Sequence, residues 1–157
     1  MKAATVKALK EALRERSHKE LLEICLRLSK FKKENKELLT YLLFEADNED
    51  AYIQSVKGTI DQQFEQINTK SYYFIKKSVR KILREVKKYI RYSQNKETEV
   101  ELLLYFCRKM QVMYPPMSRN RVLQSIYQRQ LEAAKKKILL LHEDLQYDYE
   151  QELKELA

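Results

Sequence analysis

One glycine, Gly58, and two prolines, adjacent at Pro115 and Pro116, serve a chain of 157 residues. Strands need tight turns, and tight turns draw on residues that tolerate positive φ or do without a ladder hydrogen bond. A chain almost devoid of Gly and Pro, and rich in Leu, Lys, Glu, Arg and Gln, is predicted to be helical throughout. The same scarcity excludes two phosphate-binding devices. Neither GxxxxGKS/T nor GxGxxG can be written with one glycine, so nucleotide binding through either is ruled out.

The helix boundaries are marked unevenly. Thr5 opens a first helix with Val6, Leu9 and Leu13 on one face. Ser17 and Glu20 form a capping box ahead of Leu21, Leu22, Ile24, Cys25 and Leu28. A third helix from about Glu34 is expected to turn Leu38, Leu39, Leu42 and Leu43 inward and to stop at Asp47-Asn48-Glu49-Asp50. Tyr52, Val56, Ile60, Phe64 and Ile67 recur by four and three, one stripe of a fourth helix, with Gly58 off it. Ser71 is the expected cap of a fifth helix reaching about Ser93, and a sixth runs from about Glu97 through Val100, Leu103, Leu104, Cys107 and Met110. Pro115-Pro116 end any helix.

Beyond them Ser118 is the expected cap of one long helix. Its seam is Leu123, Tyr127, Leu131, Ala134, Ile138, Leu141, Leu145 and Tyr149, alternating by four and three. The expectation is therefore all-α. About seven helices form a bundle or a short stack of antiparallel helical hairpins, with a long C-terminal helix. One domain, 1–157, fits the length, with a possible three-helix subdomain at 1–46 and a long-helix bundle at 47–157. The seam of a helix this long could instead pair with a second copy.

The net charge of +8 is concentrated. Residues 70–96 carry ten Lys or Arg against one acid, Glu85. On a helix, Ile75, Val79, Ile82, Leu83, Val86 and Ile90 fall on one side. Lys76, Lys77, Arg80, Lys81, Arg84, Lys87, Lys88 and Arg91 fill the adjoining arc, with Tyr73 in its midst. Such a face repels itself unless something anionic lies against it. Nucleic-acid phosphates, with a base stacked on Tyr73, are one candidate. Anionic lipid is another, although the apolar arc is better committed to a core. The third is the protein itself, through the acidic loop 47–50 or the segment Glu143, Asp144, Asp148, Glu150, Glu152 and Glu155.

Catalytic signals are absent. The two histidines, His18 and His142, belong to no HExxH or ExxH pattern, and Cys25 and Cys107 are too far apart for a zinc-site spacing. Both cysteines are expected to be buried thiols within apolar helical stretches. No catalytic, cofactor-binding or metal-ligating residue is named, and no small-molecule substrate is evident. No apolar leader precedes Thr5 and no run is long enough to span a membrane, so the expected location is cytoplasmic. The functional expectation is a non-enzymatic interaction or scaffolding protein that binds another protein or itself. The alternative is a nucleic-acid-binding protein using the basic face at 71–93.

The segment from Val6 to Glu45 (VKALKEALRERSHKELLEICLRLSKFKKENKELLTYLLFE) resembles the start of an uncharacterised family of small helical bacterial proteins, described only as a domain of unknown function. That resemblance implies an all-helical fold and no activity. Through Val6, Leu9, Leu13 and the Leu21-Leu22 pair, the first two helices are also similar to the helix-extended-loop-helix of the SAP type of DNA-binding motif. That family has an extended, glycine-containing connection where Ser17 here begins the next helix at once.

Overall fold

Helix capping sets most of the boundaries. In the computed structural model, which describes residues 1–157, the chain is all-helical and divides into two units, Met1–Phe44 and Glu45–Ala157. No helix is long and apolar enough to cross a membrane.

In the N-terminal unit, α1 (Val6–Arg14) starts at Thr5, whose Oγ1 accepts from the Ala8 amide at 3.2 Å. The capping box predicted at Ser17 and Glu20 is present and starts α2 (His18–Phe31). After Lys32 in extended conformation, α3 (Lys33–Thr40) runs into a π-helical turn, Tyr41–Glu45. Asn35 Nδ2 donates to the Leu28 carbonyl at 2.8 Å and ties α3 to α2.

Two expectations fail in this unit. Leu38, Leu42 and Leu43 are exposed rather than turned inward. Cys25 is exposed rather than buried. The cause is a missing layer. Only α2 and α3 pack extensively on each other, and two helices leave at least one apolar face of each uncovered. Periodicity shows that a helix has an apolar side, not that its own chain covers it.

The C-terminal unit is built around α6 (Lys96–Val112), capped by Asn95, whose side chain accepts from the Thr98 amide. It packs against α4 (Glu49–Glu65), α5 (Tyr72–Ser93), α7 (Arg121–Ile138) and α8 (Glu143–Leu156). A helix surrounded on all sides should be apolar nearly all round. Accordingly Leu102 and Phe106 join Val100, Leu103, Leu104, Cys107 and Met110 in the core. From α4 come Tyr52, Val56 and Ile60, and Phe64 meets Phe106 with ring centroids 5.8 Å apart. Ser71 stands at the start of α5 but makes no side-chain cap.

The long C-terminal helix is not continuous. The α7 part of its seam, Leu123 through Ile138, is buried within the chain, which removes helix length as an argument for pairing with a second copy. The chain then breaks at residues 139–142. The amides of Leu140 and Leu141 bond three residues back, to Lys137 and Ile138, at 3.0 Å each. Gln146 Nε2 donates to the Leu141 carbonyl at 2.8 Å, and His142 Nδ1 accepts from the Asp144 amide, capping α8. Reversal brings Tyr149 and Leu156 into the core, where the Tyr127 hydroxyl donates to the Leu156 carbonyl. Ser118 is not the cap of α7 either. It lies in a 3₁₀ turn, Met117–Arg119, and Asn120 caps instead, its Oδ1 accepting from the amides of Val122 and Leu123 at 3.1 Å each.

Candidate nucleic-acid interface

The five β-branched residues of α5 decide which way its charges face. Ile75, Val79, Ile82, Val86 and Ile90 are all buried, so the adjoining arc is forced outward. Lys77, Arg80, Lys81, Arg84, Lys87 and Arg91 are exposed and Lys76 is half-exposed. None of these seven takes part in an ion pair, although acids elsewhere in the unit do find cations. From Lys76 to Arg91 the face runs about 22 Å at the α-helical rise.

Tyr73, Lys76, Lys77, Arg80, Leu83, Arg84 and Lys87 line a concavity of about 740 Å³ along this face. Tyr73 stands at one end, 65% exposed, with its ring edge-on to Phe74 at 5.3 Å. The contact leaves the aromatic largely exposed and open to stacking. Lys88 is the member of the predicted set that the fold withdraws. Its side chain is 13% exposed, bonds Glu85 Oε2 at 3.0 Å and lies 4.9 Å over the Tyr89 ring.

Three of the acids that could have neutralised this face are engaged elsewhere. Glu49 Oε1 accepts from Ser93 Oγ at 2.5 Å and Thr98 Oγ1 at 2.7 Å. On α8, Glu152 bonds Arg108 at 2.9 Å and Glu155 lies 3.7 Å from the same guanidinium. None of the acids of the chain, one of the three partners the sequence allowed, makes a direct ion pair with the seven cations.

A second polar cluster, unforeseen in the sequence, joins α4, α6 and α8. The Tyr149 hydroxyl lies 3.1 Å from both Glu97 Oε1 and Glu101 Oε1. Glu101 Oε2 bonds Lys57 at 2.9 Å, Lys57 lies 5.2 Å over the Tyr105 ring, and the Tyr105 hydroxyl donates to Asp61 at 2.5 Å. Lys109 completes the row, 3.2 Å from Asp61. Burial raises the Tyr149 phenol, with the facing carboxylates adding to the shift. Burial and the bond to Asp61 push Tyr105 up to about 12. Both phenols stay protonated at neutral pH and serve as donors. Each group here is satisfied by another, as a clasp between helices requires. The signal that could have revealed it is Glu97 and Glu101 at i and i+4 on the flank of the most apolar helix.

The remaining chemistry-bearing residues are scattered. His18 begins α2, exposed, and His142 caps α8, exposed. No three His, Cys, Asp or Glu side chains are grouped so as to hold a metal ion. The link between α1 and α2 is residues 15–17, without the extended loop of the SAP-type motif. No protein-family model, curated protein or solved structure matches the chain.

Proposed function

We propose that this is a non-enzymatic binding protein whose α5 holds the phosphate backbone of nucleic acid along Lys76, Lys77, Arg80, Lys81, Arg84, Lys87 and Arg91. The observation that carries this reading is the absence of any ion pair to those seven cations on a face whose opposite side is buried. A phosphate row supplies the missing countercharge, and release of its counterions supplies affinity without sequence preference. Tyr73 adds a stacking surface for an unpaired base. Lys88, held by Glu85, is not among the contacts.

The test is charge reversal. A triple variant, Arg80→Glu, Arg84→Glu and Lys87→Glu, should lose retention on immobilised DNA or RNA at low salt while keeping its far-UV circular dichroism. Absence of retention by the unaltered protein overturns the reading.

A second reading, a protein that binds another protein or a second copy of itself, is favoured by a different observation. Twelve large apolar side chains of residues 1–44 are exposed, among them Phe31 and Phe44, each 76% open. Exposed apolar side chains in such number mark interaction sites. Light scattering over a range of concentrations separates self-association from a foreign partner.

A further inference from the structure

We infer that the α2–α3 hairpin is a docking groove for an acidic amphipathic helix of another protein. This rests on the partner-binding reading of residues 1–44 and names what the partner presents.

The spacing of the apolar residues matches a helix ligand. Ile24, Leu28 and Phe31 stand at i, i+4 and i+7 on α2, and Leu38 on α3 is followed at i+4 by Leu42 in the π-helical turn that continues it. Two concavities share Leu28. One, of about 430 Å³, lies along α2, and the other, of about 270 Å³, lies between α2 and α3. A groove with anchors at that periodicity is how an amphipathic helix is received.

The rim settles the sign of the occupant. Arg27 and Lys30 line the first concavity, and no acid lines either. Lys32 joins them, with its ammonium 5.9 Å over the ring of the exposed Phe31. An apolar ridge flanked by carboxylates fits this surface, and one flanked by lysines is repelled.

Charge and burial argue against α1 and α8 of a second copy as the occupant. The open apolar stripe of α1, Val6, Leu9 and Leu13, is flanked by Lys7, Lys10 and Arg14. The acidic α8 has the right charge, but Tyr149 and Leu156 are already buried in its own unit. A lipid surface would suit the charge, yet it offers no ridge to fill a concave site.

Cys25 supplies the readout. It lines the groove and is exposed, whereas Cys107 is buried and its thiol is pushed up to about 12. N-ethylmaleimide on the native full-length protein should therefore label Cys25 alone. The probe is an 18-residue helical peptide of Leu and Glu with Leu at i, i+3, i+4 and i+7. Its controls are the same peptide with Lys for Glu, and phosphatidylglycerol vesicles.

The expected result is saturable binding of the acidic peptide, with Cys25 labelling slowed at least fivefold. Leu28→Glu, and separately Arg27→Glu with Lys30→Glu, should each weaken binding tenfold or more. All three positions are exposed, and circular dichroism checks that the variants fold. Protection by the Lys peptide as strong as by the Glu peptide overturns the assignment. So does protection by vesicles without protection by the peptide. Protection that grows with the protein's own concentration instead assigns the groove to a second copy: the acidic helix falls and the partner-binding reading stands. Labelling unchanged by peptide, vesicle and concentration removes both.

Discussion

Gly58 occupies the open side of α4, and a methyl placed on it would meet no atom within 4 Å. Its cost is therefore purely that of backbone freedom in a helix interior. Gly58→Ala should stabilise the protein by about 0.5–1 kcal/mol, seen as a higher urea midpoint with an unchanged slope. A lower midpoint would mean that the position is not the free helical site described. Gly58 also shows what single residues disclose in advance. That it lies off the apolar stripe is readable from spacing alone, and so is the capping box at Ser17 and Glu20. The exposure of Cys25 is not, because it depends on whether another helix reaches α2. The withdrawal of Lys88 is likewise a matter of contact, since Glu85 three residues earlier and the Tyr89 ring both had to be within reach.

At the scale of the helix, α5 combines a fully committed apolar side with a run of like charges on the other. Lys76 with Arg80, Lys77 with Lys81, Arg80 with Arg84, and Lys87 with Arg91 are each four residues apart on that side. Such like-charge pairs cost about 0.2–0.5 kcal/mol apiece in low salt. The face is thus destabilising in the isolated protein, the pattern expected where binding sets the surface. Arg84→Glu turns its repulsion with Arg80 into attraction and should raise the melting temperature by a degree or more at 50 mM salt. The gain should shrink at 500 mM as screening shortens the Debye length. A drop in melting temperature at low salt would show that Arg84 is held by a favourable contact. This face was legible in the sequence because α5 has an uninterrupted period and one acid. The junction of α7 and α8 was not. Ile138, Leu141, Leu145 and Tyr149 keep the helical spacing straight through the break, so periodicity carried the helix onward. What marked the break was His142 followed by Glu143 and Asp144, an acidic first turn behind a residue outside the preferred capping set.

At the scale of the whole molecule, the two units differ in what they do with their apolar residues. The C-terminal unit closes on itself: α6 is enclosed by four helices and held by the clasp through Tyr149 and Lys57. The N-terminal unit leaves its leucines and phenylalanines open. An all-helical chain was legible from one glycine and a repeated three-four spacing. Which stripes form a core was not, because a stripe facing a sister helix and one awaiting a partner have the same sequence. The function proposed for α5 therefore rests on charge in place of fold. The most direct test is the slope of log affinity against log salt for a short DNA duplex bound by the intact protein. Phosphate binding along α5 predicts a slope of about −4 to −6, reduced in magnitude by about 3 in the Arg80→Glu, Arg84→Glu, Lys87→Glu variant. A slope near zero, or one the variant leaves unchanged, would contradict it.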